Sequence, residues 1–211
     1  MVRYLLILFC FGSVSAAAQL NRQQLLRPSG VISFHDTTYT VTDAVWTGKI
    51  NVTETDGGVQ KTSTTSFAWD AITNTVATFA DGDLFQFQIA WGGSPAQMRI
   101  GFGTPTGTTA ETQVAYGLYH FDQANKLIVQ NGANSFNIPS FAWANNDYYR
   151  VQRIGTFINV YHSLNGTTWS TNPLSYESGS MTAASTYNLI VAFSTQGIAA
   201  RNVKKFKRII N

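Results

Sequence analysis

The sequence predicts an all-β chain, an antiparallel two-sheet β-sandwich or jelly roll preceded by a cleaved signal peptide. Three observations lead there. Apolar and polar residues alternate with period two along most of the chain, as in "LFQFQIAW" (84–91), and no long stretch keeps a helical period. All five prolines (Pro28, Pro95, Pro105, Pro139 and Pro173) fall between the alternating runs, where a missing N–H donor costs least. No segment recurs at the spacing of a propeller blade.

The elements follow in order. Arg3, the apolar run 4–11 and the small residues Ser13 to Ala18 have the charge, apolar and small-residue order of a secretory leader, so residues 1–18 are expected to be removed on export. The run is far shorter than the ~20 residues of a membrane span, and no transmembrane segment is expected from it. The single cysteine, Cys10, lies inside it; a mature chain without thiols excludes Cys nucleophiles, Cys-ligated zinc and a disulfide scaffold. Residues 19–30 (QLNRQQLLRPSG) read as an extension and 31–211 as a single domain. Strands are expected at 31–34, 38–50, 59–67, 75–80, 84–91, 97–103, 113–121, 126–130 and 203–210, with the doubly apolar "YNLIVAF" (187–193) as a central strand. In 84–91, Phe85, Phe87, Ile89 and Trp91 share the core side and Gln86 and Gln88 the other; in "QMRIGFG", Met98, Ile100 and Phe102 oppose Gln97 and Arg99.

"DYYRVQRIGTFINVYHS" (147–163) predicts a hairpin turning at Gly155 and Thr156. Asn165-Gly166 predicts a second, tight type I′ turn, in which both residues take positive φ and 157–163 pairs with 167–170. Trp169 is then expected to pack across the strands as part of the core, so that Trp169→Ala opens a cavity. The string S-L-N-G-T-T-W also resembles the Asp-box hairpin of sialidases, with Asn165 in the place of Asp; that motif is a structural turn and carries no catalytic role.

Taken in sequence, "DGDLFQFQIAW", "RIGFG", "VAYGLYHF", "NDYYRVQRIGTFINVYHSLNGTTWS" and "YNLIVAF" resemble the concanavalin A-like lectin and glucanase superfamily, especially lectin-like modules of secreted bacterial proteins. The resemblance covers roughly residues 31–210. It implies two antiparallel sheets, one concave, with ligands held on that face or by loops at its rim.

The catalytic patterns of that superfamily are incomplete here. Retaining glucanases need two nearby carboxylates in an E-x-D-x-x-E strand, one as acid and one as nucleophile. Glu54 and Asp56 begin such a pattern, but Val59 stands third and Asp56-Gly57-Gly58 reads as a turn; the chain holds only two further glutamates, Glu111 and Glu177. The Q-I-H strand of similarly folded polysaccharide lyases is missing. His35, His120 and His162 lie on separate predicted strands and form no metal-ligand spacing. The cofactor expectation is none, with one alternative: Asp81 and Asp83 flank Gly82 and offer calcium hard oxygens, although the same residues suit a plain turn.

Binding is the class the residues favour. A lectin face combines planar polar side chains for hydroxyls with aromatic rings for C–H faces. Gln86, Gln88, Gln97, Arg99, Tyr148, Arg150 and Gln152 meet that description provided their strands neighbour one another, and Trp143 with Asn145, Asn146 and Asp147 forms a loop-borne alternative. The same residues would also serve an ordinary solvated strand face. Arg99→Ala and Arg150→Ala are expected to spare folding and abolish sugar binding. The expected partner is a glycan or cell-surface polysaccharide outside the cytoplasm, met by a non-catalytic binding or adhesion module. The alternative is a structural subunit of a surface layer or fibre that self-associates through residues 19–30 or the basic tail. Nucleic acid is not expected. The net charge is +3, but residues 19–200 hold eight basic against eleven acidic residues, and Arg201, Lys204, Lys205, Lys207 and Arg208 crowd the tail. That tail is read as an edge strand whose lysines discourage pairing.

Overall fold

The computed structural model describes residues 30–34, 37–65, 67–92, 96–121, 126–137, 144–171, 173–177, 181 and 185–209. The leader, residues 19–29, His35 and Trp143 lie outside the described residues. Within them the chain forms sixteen strands and one 3-10 turn (Glu111–Gln113). The alternating runs become β1 (Gly30–Phe34), β2 (Thr37–Asp43), β3 (Trp46–Ile50), β4 (Val52–Thr55), β5 (Gly58–Lys61), β6 (Ala71–Phe79), β7 (Leu84–Trp91) and β8 (Met98–Gly103). They continue with β9 (Val114–His120), β10 (Lys126–Gln130), β11 (Ala133–Asn137), β12 (Tyr148–Ile154), β13 (Phe157–Ser163), β14 (Leu174–Glu177), β15 (Tyr187–Phe193) and β16 (Ile198–Arg208).

Two antiparallel sheets result. The first runs β1-β2-β16-β7-β12-β13-β14, with β5 also pairing β16 and carrying β4; the second runs β11-β10-β9-β8-β15-β6-β3. Between them the inward side chains of β7, β8, β12 and β15 interdigitate. Phe79, Phe85 and Phe102 meet edge to face at centroid distances of 5.0–5.9 Å, Phe87 stacks on Phe85 at 5.5 Å, and Tyr149 lies 5.4 Å from Phe87. Each fully buried phenylalanine contributes about 1.5–3 kcal/mol by leaving water. The cluster therefore holds the sheets together and fixes which side of β7 and β12 faces outward.

Several expectations need correction. The predicted strand 38–50 breaks at Ala44-Val45 because the chain crosses from the first sheet (β2) to the second (β3), burying Trp46. The run 59–67 pairs only as far as Lys61, whose ammonium gathers the carbonyls of the residues after it. Most plainly, the basic tail is no edge strand: β16 lies inside the first sheet between β2 and β7. Val203 and Phe206 anchor it by burial, while Lys204 pairs with Asp43 at 2.8 Å, Lys205 approaches Asp83 at 3.6 Å and Arg201 approaches Asp56 at 3.3 Å. Side chains whose stems pack while their heads reach the rim let a charged strand be central. A strand held on both sides has no free edge for a neighbour to pair with.

The turns divide in the same way. Asp56-Gly57 is the tight hairpin turn expected there, with φ of 47° and 66°, and Asn131-Gly132 forms another at 51° and 76°. Gly155 (φ 59°) turns β12 into β13, where Ile154 pairs with Phe157. At Asn165-Gly166 only Gly166 takes positive φ, so the type I′ turn is not formed.

Candidate functional site

The alternation of β7 and β12 puts Gln86, Gln88, Tyr148, Arg150 and Gln152 on the outer face of the first sheet, because Phe85, Phe87, Tyr149 and Val151 occupy the core side. Register brings them together: Arg150 lies opposite Gln86, and Tyr148 opposite Gln88. On the other flank β13 places Tyr161 opposite Arg150 and Asn159 opposite Gln152.

Their side chains form one network. The Arg150 Nε donates to Gln86 Oε1 at 3.0 Å, Gln152 Nε2 donates to the Tyr39 hydroxyl at 2.8 Å, and the Tyr161 hydroxyl donates to Gln152 Oε1 at 3.2 Å. Gln88 donates to the Asn146 carbonyl and accepts from Asn202. Arg150 is buried, 5% exposed, between the rings of Trp169 (3.9 Å) and Phe206 (5.2 Å). Burial pushes its pKa down, to about 9, against the opposing pull of Tyr39 and Tyr161, so it remains a cation at neutral pH. Burial likewise pushes the Tyr39 and Tyr161 hydroxyls up, leaving them neutral donors and acceptors.

Trp169 is therefore not a residue of the inter-sheet core. Instead of the two-residue turn, Ser163, Asn165 and Gly166 build a wider loop. Asn165 Oδ1 accepts the N–H groups of Thr167 and Thr168 (2.9 and 2.8 Å), and Ser163 Oγ accepts that of Gly166 (2.9 Å). The loop folds back over the outer face, Gly166 against the Tyr148 ring and Trp169 over Arg150. The indole is half-buried, with one ring face packed on the guanidinium and its Nε1 buried.

The remaining candidates lie elsewhere. Arg99 belongs to β8 in the second sheet and faces the opposite side of the sandwich, so it shares no surface with Arg150. There its guanidinium donates to the Gly132 carbonyl (2.8 Å) and Asn134 Oδ1 (3.1 Å) and lies over Trp69 (5.5 Å) and Tyr119 (5.3 Å). Gln97 stands just before β8 on that sheet. With Arg99 and Arg150 both buried, replacing either by alanine disturbs packing as well as any ligand contact. Of the loop-borne alternative, Asn145 brackets Trp91 through its N–H and carbonyl (both 3.0 Å), and Asp147 accepts from Ala144 N (2.7 Å) and bonds His162 Nε2 (2.8 Å). Those side chains hold the loop. His120 is buried, its Nδ1 2.7 Å from the Ala96 carbonyl.

Asp81 and Asp83 are engaged by backbone N–H groups. Asp81 Oδ1 accepts the Gly155 N–H (2.6 Å), and the two Asp83 oxygens accept those of Ala80 (3.0 Å) and Arg208 (2.8 Å). The pair staples a turn, and among the described residues no three His, Cys, Asp or Glu side chains converge. Glu54 and Asp56 flank a hairpin tip and pair with Lys49 and Arg201, while Val59 is fully buried. β7, β12 and β13 carry no carboxylate, so what these three strands turn to the outer face is hydrogen-bonding groups and rings.

Tyr39, Asn159, Tyr161 and Trp169 were not foreseen as members of the face. Tyr161 and Asn159 were legible in the alternation of "FINVYHS", whereas Tyr39 and Trp169 arrive through long-range pairing and a loop.

No protein-family model matches this sequence, and no curated protein sequence matches it either. Solved structures do share its shape. The exoplasmic/lumenal domain of VIP36, solved with calcium and mannose, superposes with a TM-score of 0.58 at 8% identity over 79% of this chain and 84% of that one. The seed lectin of Lotus tetragonolobus gives 0.53 at 8% identity, over 80% and 94%. Arcelin-5, a lectin-like defense protein from Phaseolus vulgaris, gives 0.53 at 8% over 88% and 100%. The chain has the concanavalin A-like lectin fold.

Proposed function

We propose that this concanavalin A-like sandwich is a non-catalytic carbohydrate-binding module, exported after loss of residues 1–18, in which residues 31–211 form the binding domain and 19–30 an extension. The observation that carries the reading is the convergence of Gln88, Tyr148, Asn159, Tyr161 and the Trp169 ring, each partly exposed, around the buried Arg150–Gln86–Gln152 network. Planar amides and phenols supply the donors and acceptors that sugar hydroxyls need, and the rings supply apolar area for C–H faces. Arg150 acts beneath the surface, orienting Gln86 and supporting Trp169. VIP36 was solved with mannose bound, so the fold accommodates sugars in that protein; at 8% identity the likeness carries the fold alone.

A glycan-array screen of purified residues 19–211, with its size followed by light scattering, tests the reading. Selective binding by a monomer that weakens in Tyr161→Ala supports it. Absence of binding together with large assemblies would replace it with the structural-subunit alternative, for which β1, an edge strand adjoining residues 19–29, is the available pairing element.

A further inference from the structure

Lys61 ends β5 with its side chain fully buried. Its ammonium donates to the carbonyls of Thr65 (2.7 Å), Ser194 (2.8 Å) and Ala68 (3.0 Å) and is ion-paired with Asp70. Four oxygens, three of them backbone carbonyls from two separate segments, thus surround one cation. Asp70 is held in turn: Ser63 Oγ donates to its Oδ2 at 2.6 Å, and Asn51 Nδ2 donates to its carbonyl at 2.8 Å.

Carbonyl and carboxylate oxygens from a loop are the donor set that holds a hard divalent cation, at 2.3–2.6 Å for calcium. The distances here are those of N–H···O bonds to an ammonium, and a buried ammonium tolerates its desolvation only with such charge-assisted partners. We propose that the Lys61 ammonium is a covalently tethered internal cation that organises residues 62–65 and 67–70, so that the order of this loop is independent of calcium or any other divalent metal.

What the loop carries gives the device its use. Phe67 stands 60% exposed in the left-handed region (φ 62°), a conformation that costs an aromatic residue energy and persists only where surrounding bonds enforce it. Trp69, two residues on, lies 5.7 Å from Tyr119 and against Arg99, closing the outer face of the second sheet. Because the cation is part of the chain, this closure does not depend on ion supply.

Hydrogen exchange of the purified chain tests the proposal without reference to any sugar, so its outcome is separable from the binding reading. Amides at 67–70 should exchange equally in millimolar calcium and in chelator. In Lys61→Met, which keeps the apolar stem but not the charge, they should exchange roughly tenfold faster or more. Propylammonium, which replaces the atoms the substitution removes, should restore slow exchange in Lys61→Ala. Loosening of the wild-type loop by chelator, or wild-type exchange in Lys61→Met, would overturn the proposal. Should both variants fail to fold, the wild-type comparison alone decides it.

Discussion

At the residue scale, Trp169 and Asp70 show how local partners set the energetics. Trp169 packs on Arg150 and is partly exposed, so Trp169→Ala should cost about 1–2 kcal/mol, the loss of one stacked, partly desolvated cation–π contact. Phe85→Ala, in the middle of the inter-sheet cluster, should cost about 3–5 kcal/mol. Urea unfolding of the two variants side by side checks the contrast; equal losses would return Trp169 to the core. Asp70 predicts a pH effect. Burial pushes its carboxyl up, but hydrogen bonds from Lys61 and Ser63 prevail and hold it below the usual carboxylate value. A carboxyl depressed on folding stabilises the protein fully above its ordinary pKa and loses that contribution as the pH falls through the lowered value. Stability of Asp70→Asn should therefore fall less steeply than wild type below about pH 4, read from melting temperatures across that range.

At the element scale, the β4–β5 hairpin is secured at the bulge of β16. Asn202 N donates to Asp56 O and Val203 N to Gly57 O, both at 2.9 Å, and Asn202 itself takes φ 50°. A Cβ on Gly58 would stand 1.9 Å from the Ala200 carbonyl oxygen, so Gly58→Ala should separate β5 from β16 and lower the melting temperature by several degrees. Melting at the wild-type temperature would show that this junction relaxes freely. Strand existence was readable because alternation is a local property: 84–91, 126–130 and 187–193 appear in the structure with the limits the sequence implied. The four-residue strands β4 and β14 carry too few residues for a period to show, and β11 (ANSFN) is too polar to show one. The sidedness of Gln86, Gln88, Tyr148, Arg150 and Gln152 was equally legible, since every second residue shares a face. Sheet membership was not, because long crossovers decide it; Arg99 has the outward parity expected of it but on the other sheet. The central placement of β16 was hidden for a related reason: its lysines read as edge protection until Asp43, Asp56 and Asp83 arrive from distant segments.

At the scale of the whole molecule, the sandwich presents two outer faces of different character. On the first sheet a polar network is buried beneath partly exposed rings and amides; on the second, Trp69 and Tyr119 close over Arg99. The two faces are separated by the phenylalanine core, so changes on one should leave the other undisturbed, and double variants such as Tyr161→Ala with Trp69→Ala should show additive stability losses. The carbohydrate-binding reading locates its ligand on the first face alone. Mapping backbone amide shifts by NMR while titrating the glycan selected from an array tests that most directly. Perturbations should concentrate on β12, β13 and residues 164–170. Shifts gathered instead around residues 67–70, Arg99 and Tyr119, or none at saturating glycan, would contradict it.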